Sequence, residues 1–268
     1  MKISVLLVTT DLPERLHLLD AAIASIDRND HGFGQKVLSI DFIANEPSDD
    51  LVNKLFGKYK DLGWEMVFGR CSGHQGMANN IKRGLGVVNG DIIFYSEDDI
   101  VVNRIPASIE EIFSAGVLGK PIGYVCYNTH VHDLANPLTA GPKIGFINNV
   151  SNYIQIGGEM FFVKSEKIRD QYYLNAPVMI TRTDIFRQLL SYATKSCLGM
   201  GMEPALTKAW FDLGYGMIHS VLIYVKPDIF SAMPLDIDKF YHQANMQFWN
   251  NTPALRHQSI NNRMNTIF

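Results

Sequence analysis

Cysteine is scarce. Cys71, Cys126 and Cys197 are three residues among 268, an odd and widely spaced set. Such a set excludes a disulfide framework and a cysteine-rich zinc module. It points to free thiols in a reducing compartment, so a cytoplasmic location is expected. Long apolar runs are also missing. Stretches such as Ile3 to Val8 fall far short of the roughly 20 residues that cross a bilayer. No basic segment followed by an apolar run opens the chain, so neither a signal peptide nor a membrane span is expected. There is no amphipathic basic helix of the kind that lies on lipid, no internal repeat and no low-complexity block. Charged residues make up only 19%, whereas hydrophobic residues make up 47%, enough to bury a core. A chain of 268 residues suits one α/β domain, or one with a small appendage.

The few charges are unevenly spread. The net charge is −3. Before Lys120 the chain has 11 Lys and Arg against 17 Asp and Glu; from Lys120 onward it has 13 against 10. An acidic first half argues against a nucleic-acid coat over the whole chain and suits a domain that holds a divalent cation. After Asp238 no acid follows, while Lys239, Arg256 and Arg263 do. That tail reads either as a solvated terminus or as an arm touching an anionic partner.

Periodicity predicts strand and helix in alternation. Residues 2–9 form a β-branched apolar run that reads as a buried strand. Pro13 then opens a helical pattern carrying Leu16, Leu19, Ile23 and Ile26. Further strands are expected over 37–44, 64–68, 92–95 and 221–225. Helices are expected over 50–59, 77–87, 106–115 and 203–213, with a strand then a helix over 176–190. Residues 136–158 read as long loops or a hairpin. The alternation predicts an open, mostly parallel sheet with helices on both faces, which binds ligands at the carboxyl ends of its strands. Thr9, Asn45 and the run Glu97-Asp98-Asp99 fall at such ends.

The acidic run stands out. Three adjacent carboxylates repel by roughly 1 kcal/mol per close pair even at water's dielectric, so something must compensate. A divalent cation is the simplest candidate. In an extended chain Glu97 and Asp99 share a side and can face one ion, and hard oxygen ligands select Mn²⁺ or Mg²⁺ over Zn²⁺. The alternative is a solvated acidic turn.

At this point the residues resemble a glycosyltransferase of the GT-A type, specifically the inverting family 2. Val8-Thr9-Thr10-Asp11-Leu12-Pro13-Glu14-Arg15-Leu16 aligns without a gap to the family's opening strand and helix start. Asn45-Glu46-Pro47-Ser48-Asp49-Asp50 resembles the turn after its second strand. Gly76, Gly84-Leu85, Gly90-Asp91, the strand at 92–95 and Glu97-Asp98-Asp99 keep the order that leads to its Asp-x-Asp motif. The likeness covers about residues 3–103. Later, Gly199-Met200-Gly201-Met202-Glu203 and Gly214-Tyr215 resemble the segment that supplies the catalytic base. The chain departs at Val8, Asn45, Asn79, Glu97 and Pro204, where the family has proline, a carboxylate, arginine, aspartate and aspartate.

The resemblance implies a GT-A, Rossmann-like α/β sheet with a smaller irregular acceptor-side region. Residues 1–118 would form the nucleotide-sugar half, 119–238 the acceptor and catalytic half, and 239–268 a tail. It implies a hexosyl- or pentosyltransferase moving sugar from a nucleotide-diphosphate donor such as a UDP-sugar to an acceptor hydroxyl, with inversion. Glu97 and Asp99 would hold Mn²⁺ or Mg²⁺. Thr9, Thr10, Asn45 and Glu46 would contact the nucleoside, and Lys82 or Arg83 would face the diphosphate. Asp98 would ligate the metal or turn toward acceptor or ribose, and Glu203 would be the general base. Glu203 followed by Pro204 equally suits an ordinary first helical turn. The expected acceptor is a glycan, with a hydroxymethylated DNA base as the minority option.

Other readings stay open. A nucleotidyltransferase shares the sheet and cation site but needs a Gly-rich loop, and residues 9–15 hold no glycine. A non-catalytic nucleotide-sugar-binding module would explain Pro204. His130 with His132, His74 and His219 are further candidates for metal or phosphate, and each also reads as an ordinary loop or strand histidine.

Overall fold

A computed structural model of the chain describes residues 1–11, 13–42, 48–69, 77–98, 100–102, 104–106, 108–129, 153–163, 178–191 and 213–225. In chain order the elements are β1 (Ile3–Thr10), α1 (Pro13–Arg28), β2 (Gln35–Asp41), α2 (Asp49–Lys60), β3 (Glu65–Gly69), α3 (Met77–Val87), β4 (Ile92–Glu97), β5 (Val101–Val102), α4 (Ile109–Ser114), β6 (Gly116–Val117), β7 (Lys120–Thr129), β8 (Tyr153–Ile156), β9 (Glu159–Val163), β10 (Val178–Arg182), α5 (Thr183–Leu190) and β11 (Gly216–Val225).

The strands join one sheet in the order β3-β2-β1-β4-β10-β7-β11-β9-β8, with β5 on β11 and β6 on β7. The first four strands are parallel. β10 enters antiparallel between β4 and β7, and β11 returns parallel to β7. The β8–β9 hairpin closes the far edge. The sheet is therefore parallel on one side and mixed on the other, and β4 is central.

Two-residue alternation sends each strand's side chains to two helical layers. Val5 and Leu7 of β1 pack with Leu19, Ala22, Ile23 and Ile26 of α1, whose spacing forms one stripe. Leu6 and Val8 face the other way, onto Ala78, Ile81 and Leu85 of α3. α2 and α4 join the first layer and α5 the second. Each fully buried Leu or Ile contributes about 2 kcal/mol. Gly84 lets α3 lie close, because a Cβ there would overlap a Leu6 methyl and approach Ser39 Cβ to 3.2 Å. Ser48 caps α2 by accepting from the Leu51 amide at 3.3 Å. At the other end of the sheet, Gly90 and Asp91 pin β4 to β1. Gly90 N–H donates to Ser4 Oγ at 3.0 Å, and Lys2 N–H to Asp91 Oδ2 at 2.9 Å. Among the described residues no helix is long and apolar enough to cross a membrane.

Candidate functional site at the ends of β1 and β4

The chain runs from β1 outward through β2 to β3, then returns to place β4 on the opposite side of β1. Connections therefore diverge at the carboxyl ends of β1 and β4, and a crevice at such a switch point is the usual ligand position in sheets of this kind. The register sets Val8 beside Glu97. Thr9 and Thr10 thus project at the tip of β1 just where Glu97 and Asp98 end β4.

Asp98 lies inside this junction, with none of its side chain exposed. Arg15, in the first turn of α1, holds it with a two-pronged grip. Nη2 stands 2.6 Å from Oδ1, and Nε donates to Oδ2 at 3.1 Å. Thr9 Oγ1 adds a third contact, donating to Oδ2 at 2.6 Å. A buried carboxylate persists as an anion only with such partners, and removing one partner of a buried pair costs about 3–5 kcal/mol. The expectation is that Asp98 meets the cation, acceptor or ribose; in this structure its carboxylate meets Arg15 and Thr9. The repulsion within the acidic run also has a compensation that periodicity did not anticipate. Arg15 neutralises the middle member.

Glu97 is partly exposed at the strand tip. Its carbonyl accepts from the Ile100 amide at 3.3 Å, closing a tight turn. Thr10 is buried, only 7% exposed, and its hydroxyl finds no hydrogen-bond partner among the described residues. An orphaned hydroxyl at the mouth of a strand-end crevice fits a polar ligand group such as a nucleoside.

A second network braces the ends of β1, β2 and β3. Asn80 of α3 is buried; its Nδ2 donates to the Thr9 carbonyl at 2.9 Å, and its Oδ1 accepts from Ser39 Oγ at 2.6 Å. Arg83 Nη1 reaches the same Oδ1 at 3.3 Å and the Ile40 carbonyl at 3.4 Å, while Nη2 lies 3.6 Å from Asp41 Oδ1. Gly69 leaves the room, since a Cβ there would overlap the Arg83 guanidinium. Lys82 does not belong here. A helix turns about 100° per residue, so residue 82 sits some 200° from residue 80. Lys82 is exposed instead along a shallow groove with Leu85, Gly86, Arg187 and Leu190. Of Lys82 and Arg83, the two cations expected to face the diphosphate, Arg83 is the one at the strand ends.

Asn45, Glu46, Asp99 and Glu203 lie outside the described residues, as do His74, His130 and His132. Thr9 and Thr10 stand at the carboxyl end of β1, with the Thr9 hydroxyl committed to Asp98. His219 pairs through the sheet with Cys126, Met179 and Tyr95 in turn. Its backbone is therefore three strand steps from β4, about 14 Å at the usual spacing. Among the described residues no group of three metal-ligating side chains gathers.

Arg15, Asn80 and Arg83 are the residues at these strand ends that sequence reasoning missed or left secondary. One signal pointed to Arg15. A cation in the first turn of a helix opposes the helix dipole, so its presence there asks for a carboxylate partner.

Similarity to solved structures extends across most of the chain. Glucosyl-3-phosphoglycerate synthase from Mycobacterium tuberculosis, in complex with Mn²⁺, UDP and glucosyl-3-phosphoglycerate, matches 93% of this chain and 79% of its own, at TM-score 0.51 and 16% identity. A mannosyltransferase from Pyrobaculum calidifontis with GDP-Man and Mn²⁺ matches 84% of this chain and 56% of its own, at TM-score 0.51 and 14% identity. GalNAc-T7 with UDP, GalNAc and Mn²⁺ matches 84% of this chain and 44% of its own, at TM-score 0.57 and 8% identity. The chain thus spans about half the length of the latter two. No family model and no curated protein matches it. At these identities the likeness is one of fold, and the fold is that of the GT-A glycosyltransferases.

Proposed function

We propose that this GT-A chain is a glycosyltransferase that moves a sugar from a nucleotide-diphosphate donor to an acceptor hydroxyl with the help of a divalent cation. The observation that carries the proposal is the switch point where the connections after β1 and β4 part, with Glu97 at the end of β4 and a buried Thr10 hydroxyl that finds no hydrogen-bond partner among the described residues. The three similar structures contain UDP or GDP-Man together with Mn²⁺, which supports the same donor class and metal here.

Glu97 and Asp99 offer hard oxygen ligands and fit Mn²⁺ or Mg²⁺. Such an ion offsets the charge that builds on a leaving diphosphate. This chain's own residues supply the rest. Thr10, with Asn45 and Glu46, contacts the nucleoside. Arg83, at the ends of β2 and β3, adds positive potential on the donor side of the crevice. Glu203 takes the proton from the acceptor hydroxyl, on the face opposite the leaving group, giving inversion. The acceptor, taken to be a glycan, enters from the 119–238 half.

The test is a panel of UDP- and GDP-sugars incubated with Mn²⁺, scoring release of nucleoside diphosphate with and without hydroxyl acceptors. Release from one donor, stimulated by an acceptor and stopped by chelator, is expected. Donor binding with no hydrolysis or transfer across the panel would contradict an enzymatic role.

A further inference from the structure

We propose that Arg15 is a positioning residue for this site: it retains Asp98 as an internal counter-charge, so that the tip of β4 presents Glu97, rather than Asp98, to the crevice. The inference rests on the function proposed above and goes beyond it by dividing the acidic run into two kinds of carboxylate.

The geometry is specific. Asp98 is wholly removed from solvent, and Arg15 is 12% exposed. The guanidinium meets both carboxylate oxygens, at 2.6 and 3.1 Å, and Thr9 Oγ1 donates to the second of them at 2.6 Å. The three side chains come from the end of β1, the first turn of α1 and the turn after β4. Those elements form the wall at the switch point, so one ion pair fixes their mutual position. A cation at the strand tip attracts every carboxylate within reach, and Asp98 is adjacent in sequence to Glu97. Arg15 competes for Asp98 with a planar fork that matches a carboxylate better than a lysine ammonium does. With Asp98 held inward, Glu97 is the described member of the run left partly exposed at the strand tip. Partners of this kind, one shell removed from a ligand, orient it without touching the metal.

Two assignments of Asp98 are in competition, ligand or internal counter-charge, and they differ in one cycle. Mn²⁺ binding in the presence of UDP, and separately of GDP, is followed by the electron paramagnetic resonance signal of free Mn²⁺. The proteins are wild type, Arg15→Leu, Arg15→Lys and the double variant Arg15→Leu/Asp98→Asn, each with its melting temperature. Arg15→Leu strands a buried anion and is expected to weaken the Mn²⁺–nucleotide complex by about tenfold to a hundredfold. The double variant removes both charges and is expected to bind within about threefold of wild type, because the two substitutions are coupled. Arg15→Lys, which keeps the charge but not the fork, falls between them. Should Arg15→Leu not fold, the double variant and Arg15→Lys still decide the matter.

A double variant that binds no better than Arg15→Leu, or not at all, makes Asp98 a ligand and overturns the proposal. Wild-type affinity in every folded variant, with only the melting temperature lowered, also overturns it by leaving Arg15 a purely structural role. If wild type forms no complex with Mn²⁺ and either nucleotide, the proposed function falls and this assignment with it.

Discussion

The carboxamide of Asn80 donates to the carbonyl of Thr9 at 2.9 Å, joining a helix to a strand 71 residues earlier. Its oxygen accepts from Ser39 and from Arg83, so both the nitrogen and the oxygen of the amide are engaged. Asn80→Ala would take the side-chain donor from a strand-end carbonyl and leave Ser39 only its 2.9 Å bond to the backbone carbonyl of residue 80. A loss of about 2–3 kcal/mol is expected, read from the shift in urea midpoint at unchanged m value.

Two glycines of α3 should respond with opposite signs. Gly84→Ala places a methyl against Leu6 and Ser39 in a close-packed layer and should cost about 1–3 kcal/mol. At Gly86 an added Cβ meets nothing within 4 Å. Gly86→Ala should therefore stabilise by about 0.5–1 kcal/mol through helix propensity alone. Parallel thermal melts check both.

Tyr59 links α2 to α1. It is buried, and its hydroxyl donates to Asp20 Oδ1 at 3.1 Å. Burial foremost, and then the charge and hydrogen bond of Asp20, push its ionisation well above the ordinary tyrosine value. The folded state thus favours the neutral phenol. That contribution is complete below the unfolded tyrosine's pKa near 10 and is lost as pH rises beyond it. Tyr59→Phe should be less stable than wild type at neutral pH by about 1 kcal/mol. The gap should narrow as the pH is raised past 10, and denaturation curves at stepped alkaline pH measure it.

Glu203→Gln removes a candidate base while preserving shape. Donor affinity should stay near wild type while transfer to the acceptor falls by about 10²-fold or more. Separate measurement of donor binding and of turnover distinguishes this from a general loss of structure.

The sheet's first half was legible because it is local. Strands such as residues 92–97 are short apolar runs closed by turns, and α1 carries a stripe at 19, 22, 23 and 26 that only a helix aligns. The helix at 77–87 agrees end to end with the sequence pattern. The second half was harder to read, for a physical reason. β10 lies antiparallel between β4 and β7, and its pairing with β4 spans more than 80 residues. Nothing in a local window specifies such a neighbour. β7, a ten-residue strand, went unmarked because Gly123 interrupts its pattern; that glycine admits Tyr215, whose ring a Cβ would press. At the site, the position of Glu97 at a strand end could be read from the sequence. The inward turn of Asp98 could not, since it depends on Arg15 arriving from another element. The same limit explains Lys82 and Arg83: adjacent in sequence, they point to different sides of α3, and only Arg83 meets the strand ends.

The most direct test is calorimetric titration of UDP and GDP into wild type and Glu97→Gln, with Mn²⁺ and with chelator. Wild type should bind one of the two only when Mn²⁺ is present, and Glu97→Gln should weaken that binding by about tenfold or more. Equal affinity in chelator, or an unchanged affinity in Glu97→Gln, would contradict a cation-bridged diphosphate at the tip of β4.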